Sequence, residues 1–292
     1  MRIVVTDSGL GGLSVLAELE SRLRGNPVFR NAELIFFNSL YSHELGYNTI
    51  ESFSDKVIIF NNALNSIEAN YNPDLILIAC NTLSVVYPHT EFAKNSETEV
   101  KGIVDGGVSL FANNLQNKSD KIILFGTPTT INSDVYKQLL VKAGIEETQI
   151  VNQECLELES VIQNNPNSDK TNRLIAEFVQ KASELISSDS KNIYAGLCCT
   201  HYGYSESFFY TELSKQFNSN VKILNPNSKM LDYLFDSKVV SNNCKTIVKV
   251  VSQVKLRKNE IKLLSDILLK DSPKTSVALE NYEFIENLFQ KK

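Results

Sequence analysis

No apolar run in these 292 residues approaches the roughly twenty needed to cross a bilayer. The amino-terminal Met1-Arg2-Ile3-Val4-Val5-Thr6 reads as a strand, and it lacks the apolar region and small-residue cleavage site of a signal peptide. The five cysteines are odd in number and have no framework spacing, which argues against a disulfide scaffold and fits a reducing cytoplasm. There is no Gly-Lys-Ser/Thr phosphate loop, no Cys-x-x-Cys pair, no low-complexity tract and no short repeat. Strong basic charge is also missing. The net charge is −5, and short clusters such as Lys255-Leu256-Arg257-Lys258 read as solvated helix approaches, so a nucleic-acid surface is not expected. With 42% hydrophobic and 22% charged residues, the chain is globular and long enough for two lobes of ordinary size.

Short apolar runs alternate with amphipathic stretches, the pattern of a parallel sheet covered by helices. Strands are expected at 2–6, 34–37, 75–79, 121–125, 193–197, 221–224 and 246–251. Phe53, Val57, Phe60, Leu64 and Ile67 step by three and four and predict one helical stripe; Leu174, Phe178, Ala182 and Leu185 predict another. Ser133-Asp134 can start a helix, and Gly144 stands where it should stop. The expected architecture is α/β, with two pseudo-symmetric lobes, each a mainly parallel sheet flanked by helices. Residues 1–97 and 208–292 form the first lobe and 98–207 the second, with the active site between them.

Two cysteines close apolar strands, in Ala79-Cys80-Asn81-Thr82 and Leu197-Cys198-Cys199-Thr200-His201. In an open α/β sheet the carboxyl ends of the strands border the ligand crevice. Two thiols delivered there from different halves of the chain suit moving a proton off one face of a carbon and onto the other. A single strand-end cysteine is more often a small buried hydrophobe; two in matching settings, one with a histidine beside it, weigh against that for this pair.

The loop Asp7-Ser8-Gly9-Leu10-Gly11-Gly12 follows the first strand. As a dinucleotide loop it fails, because Ser14 stands where the third glycine belongs and the second strand ends in Phe37-Asn38 without a ribose-binding acid. A small carboxylate is the better guest, with Asp7 placed to meet an ammonium or to bias a thiol. Simple helix capping by Asp7 or Ser8 is the alternative. Gly126-Thr127-Pro128-Thr129-Thr130 offers a second anion cradle or, again, an ordinary cap. His201 can assist Cys199. Zinc is disfavoured by the adjacent Cys-Cys spacing, and a Cys/His hydrolase leaves Cys80 unexplained.

Taken in order, Asp7-Ser8-Gly9-x-Gly11-Gly12, Ala79-Cys80-Asn81-Thr82, Gly126-Thr127-x-x-Thr130 and Cys199-Thr200-His201-Tyr202 resemble the cofactor-independent aspartate/glutamate racemase family, over residues 1 to about 235. The resemblance implies an amino-acid racemase acting on glutamate or a close acidic relative, without pyridoxal phosphate, metal or nucleotide. Its bases would be Cys80, assisted by Asp7, and Cys199, assisted by His201. Ser8, Asn38, Gly46, Asn81, Thr82, Thr127, Thr130 and Thr200 would bind substrate. It also implies a cytoplasmic enzyme supplying a D-amino acid for the bacterial cell wall; a homodimer stays open. Alternatives are a superfamily relative, such as an aspartate racemase, decarboxylase or cis–trans isomerase, and a non-catalytic small-anion binder.

The chain departs from the glutamate racemase pattern at four places. Asn38-Ser39 stands for Asp-Thr, with a longer loop through His43–Tyr47. Gln163 stands for a glutamate, Gly203 for a proline, and Asn225-Pro226 for Asp-Pro. The lost acids predict a substrate preference wider than strict glutamate.

Overall fold

The computed structural model describes residues 1–186, 190–236 and 243–290. Its strands in chain order are β1 (Arg2–Asp7), β2 (Asn31–Asn38), β3 (Leu75–Ile78), β4 (Glu99–Gly102), β5 (Lys121–Gly126), β6 (Ile150–Glu154), β7 (Asn192–Cys198), β8 (Asn220–Leu224), β9 (Lys245–Ser252) and β10 (Glu283–Phe284). The chain divides into two units, residues 1–103 with 230–292 and residues 104–229.

The first unit is a parallel six-stranded sheet in the order β10-β9-β2-β1-β3-β4. Both faces of its central strands are buried, which is why these strands read as continuous apolar runs. On one face Val4, Ile35, Phe37, Ile76 and Ile78 pack beneath the helix Phe53–Tyr71. Ser52 caps that helix by accepting from the Asp55 N–H. Its buried stripe is Ile59, Phe60, Ala63, Leu64 and Ile67, each of the four larger side chains contributing about 1.5–3 kcal/mol of apolar burial. Phe53, expected in the stripe, is the first residue of the helix and 40% exposed, its ring perpendicular to that of His89.

The second unit is a parallel four-stranded sheet in the order β6-β5-β7-β8. Alternate residues feed two cores. Ile123, Phe125, Ala195, Leu197 and Cys199 face one way; Ile122, Leu124, Tyr194 and Cys198 face the other. The helix Asp169–Ser183 buries Ile175, Phe178, Val179 and Ala182. Leu185, expected on that stripe, lies past the helix end and is 67% exposed. Helix Val135–Lys142 starts after Asp134 and is followed by Gly144 at φ +94°, a left-handed conformation that glycine adopts at little cost.

The unit boundaries differ from the expected 97/98 and 207/208. β4 pairs with β3, so the first unit runs to Ile103. Helix Glu206–Gln216 buries Phe209 and Leu213 in the second unit and β8 pairs with β7, so the return to the first unit comes at Met230 rather than near Phe208. β4 and β6 escape sequence reading for one reason: a short edge strand buries little and carries too few apolar residues to show a period. Among the described residues no helix is long and apolar enough to cross a membrane.

Candidate active site

Strand order fixes where each unit can bind a small ligand. In the first unit the connections leave β1 toward β2 on one side and β3 on the other. In the second they leave β5 toward β6 and β7. A crevice opens beyond the carboxyl ends of the strands at such a reversal. Asp7-Ser8 and Cys80 follow β1 and β3 at the first switch point; Gly126-Thr127 and Cys199 follow β5 and β7 at the second.

At the first switch point Cys80 is the N-cap of the helix Asn81–Val86, its Sγ accepting from the Leu83 N–H at 3.5 Å. Ser8 Oγ stands 3.1 Å from the same sulfur. Burial, and then the neighbouring Asp7 charge, push the Cys80 thiol up to about 12, while the hydrogen bonds from Ser8 and from the Leu83 backbone pull it down. Asp7 is buried, and its placement depends on Gly12: a Cβ there would lie 2.9 Å from both Asp7 Cβ and Oδ2 and 3.1 Å from Ala79 Cβ. Asn81 and Thr82 are buried in the first turn after Cys80.

Asn38, expected at the substrate, has both ends of its amide engaged within its own unit. Nδ2 donates to Ser252 Oγ at 3.0 Å and Oδ1 accepts from the Leu40 N–H at 3.1 Å. It ties the end of β2 to the end of β9. The Gly46 carbonyl accepts from the backbone N–H groups of Thr49 and Ile50 and from the Thr49 hydroxyl, closing a turn that buries Tyr47.

At the second switch point Thr127 precedes the helix Pro128–Asn132, and its hydroxyl lies 3.1 Å from that of Thr130, both buried. Cys199 Sγ lies 3.8 Å from His201 Nδ1. His201 Nε2 lies 3.0 Å from Gln163 Oε1, supplied by the helix Leu158–Asn164. An amide oxygen only accepts, so Nε2 carries the proton and Nδ1 turns its lone pair to the thiol. Burial lowers His201 to about 4, so the imidazole is neutral at neutral pH. Thr200 is buried and its carbonyl accepts from Asn227 Nδ2. Cys198 points into the opposite core from Cys199, as residue alternation along a strand requires.

Cys80, Asp7, Ser8, Asn81 and Thr82 thus gather at one switch point, and Cys199, His201, Thr200, Thr127 and Thr130 at the other. Sequence reasoning named Gly12 only within its loop, and Gln163 and the His43–Tyr47 loop only as departures from the family pattern; it gave none of Gly12, Tyr47 and Gln163 a contact. Gln163 is 38 positions from the histidine it contacts, and no local pattern connects them. Among the described residues no group of three or more His, Cys, Asp or Glu is placed to hold a metal ion.

No family model matches the chain. Among curated proteins, the glutamate racemase of Campylobacter jejuni is 26% identical over 289 residues, covering 92% of this chain and all of that protein. Among solved structures, a glutamate racemase isoform from Bacillus anthracis superposes with a TM-score of 0.74 at 17% identity, covering 99% of this chain and 98% of that one. The glutamate racemase of Francisella tularensis in complex with D-glutamate superposes with a TM-score of 0.70 at 19% identity, covering 93% and 94%. These likenesses run through both units.

Proposed function

We propose that this chain, a member of the aspartate/glutamate racemase family, interconverts L- and D-glutamate by moving the α-proton between two cysteines. One observation carries the reading. Each switch point presents a buried thiol with its own hydrogen-bonding partner, Ser8 for Cys80 and His201 for Cys199. A one-base reaction would need only one of them.

The α-proton of an amino acid is very weakly acidic, so a thiolate removes it only where the carbanion is stabilised as it forms. Donors for a substrate carboxylate are present in Asn81 and Thr82 beside Cys80 and in Thr127, Thr130 and Thr200 near Cys199. Asp7 receives the ammonium. Without a cation beside it, the Asp7 carboxylate opposes the Cys80 thiolate. A bound ammonium offsets that charge and so lowers the cost of the Cys80 thiolate, while burial, the larger cause of the raised thiol, continues to oppose it.

At Cys199 the thiol proton passes to His201 Nδ1 as the sulfur becomes the base, and it returns when the sulfur is the acid. Thiolate and imidazolium form together, each offsetting the cost of burying the other's charge. Gln163, by holding the Nε2 proton, keeps Nδ1 free for that exchange. The family's glutamate at this position would favour a standing imidazolium; the neutral amide does not. In one direction Cys80 abstracts and Cys199 donates, and in the other the roles reverse.

The test is racemisation in deuterated buffer. D-glutamate formed from L-glutamate should carry deuterium at Cα from the first turnover, while recovered L-glutamate stays protiated. A panel of other L- and D-amino acids reads the substrate range. Product that keeps its protium, or no exchange with any amino acid, would overturn the proposal.

A further inference from the structure

The Tyr47 hydroxyl is buried and has no hydrogen-bond partner among the described residues. That is costly, since an unsatisfied buried hydroxyl loses its water without replacement, and native structures seldom keep one without cause. The Gly46–Ile50 turn holds the backbone, and the ring meets Phe60 edge-on at 6.4 Å and 88°. Tyr47 belongs to the same packed cluster as Cys80, and the Cys80 charge is the second of the two causes, after burial, that raise its phenol.

We propose that Tyr47 is a positioning residue for Cys80, its phenol donating a hydrogen bond to the sulfur when the thiolate forms. The Asp7 carboxylate, the Ser8 hydroxyl and backbone N–H and the Leu83 N–H act on this sulfur, and the charge of the sulfur in turn acts on the phenol. Burial and the Cys80 charge both push the phenol well above its ordinary range, so it remains a neutral O–H donor at any working pH. A thiol sulfur is a weak acceptor and a thiolate a strong one. The bond is therefore made mainly in the charged state, the condition under which an interaction speeds a reaction rather than merely tightening binding. The unpaired hydroxyl of the resting protein is a donor held ready.

The role in turnover rests on the racemase reading above, but the thiol measurement does not. Wild-type and Tyr47→Phe protein would be alkylated with iodoacetamide from pH 7 to 10, and modification of the Cys80 peptide followed by mass spectrometry. Because the rate follows the thiolate fraction, Tyr47→Phe should slow Cys80 labelling about tenfold at each pH while Cys244 labelling and the unfolding midpoint hold. Replacing Tyr47 by 3-fluorotyrosine, a somewhat stronger donor of nearly the same shape, should speed labelling at pH 7, where burial keeps the phenol protonated, and it keeps the test open if Tyr47→Phe folds poorly. Unchanged or faster labelling in Tyr47→Phe would overturn the proposal, because a purely structural phenol would leave the titration of its neighbour alone. Slower labelling without α-proton exchange on any amino acid would uphold the Tyr47–Cys80 link and overturn only the racemase reading.

Discussion

Ser8 Oγ lies 3.1 Å from Cys80 Sγ, across the gap between the ends of two neighbouring parallel strands. The hydroxyl is one of the groups that lower a thiol otherwise raised by burial and by Asp7. Ser8→Ala should lower kcat/KM about tenfold, the order expected for one hydrogen bond to a charged group. L- and D-glutamate have equal free energy in water, so the loss must be the same in both directions. Steady-state rates from each enantiomer check this.

Cys80→Ser and Cys199→Ser should each reduce racemisation at least a thousandfold with little change in unfolding midpoint, because an alcohol is a far weaker acid than a thiol. Cys198→Ser is the internal control. Cys198 faces the opposite core, so its replacement should cost stability by about 1 kcal/mol or more and leave the chemical step intact. Near wild-type turnover in either of the first two variants would return that cysteine to a packing role.

His201 is held at about 4 against an ordinary 6.5, by burial. Below about pH 6.5 the unfolded chain binds a proton at this position that the folded chain refuses. The stability from keeping it neutral is therefore present above that pH and is lost as pH falls toward about 4, amounting to about 3 kcal/mol at most. The urea-unfolding gap between wild type and His201→Gln should shift against wild type by that order between pH 7 and 4.5. Gln163→Glu should raise His201 and bring an acidic limb into the kcat/KM profile near pH 6 to 7. An NMR titration of the ring reads both proteins.

Gly203 and Asn225, which look like unrelated departures in the sequence, meet in the structure. A Cβ at 203 would lie 2.6 Å from Asn225 Nδ2, while Asn225 Oδ1 accepts from the Asn227 N–H. Gly203→Ala should cost about 1–2 kcal/mol, and markedly less in an Asn225→Ala background. Equal losses in the two backgrounds, measured by denaturant unfolding, would show that the two positions do not share this constraint.

Much of the frame was legible from the chain alone. Strands buried on both faces must be continuously apolar, so β1, β3, β5 and β7 stood out, and with them the strand-end positions of Asp7, Cys80, Thr127 and Cys199. The opposed facing of Cys198 and Cys199 followed from strand alternation. The tertiary structure decided what depends on contacts distant in sequence: the Gln163 amide on His201, the engagement of Asn38 with Ser252, the orphaned phenol of Tyr47 in the Cys80 cluster, and the fit of Gly203 against Asn225. It also placed β8 with the second unit, which moved the return to Met230. Periodicity reports which face of an element is buried, because burial acts on each residue in turn. Which side chain meets which, and hence how a thiol or imidazole titrates, is set by packing between elements that the order of residues does not encode locally.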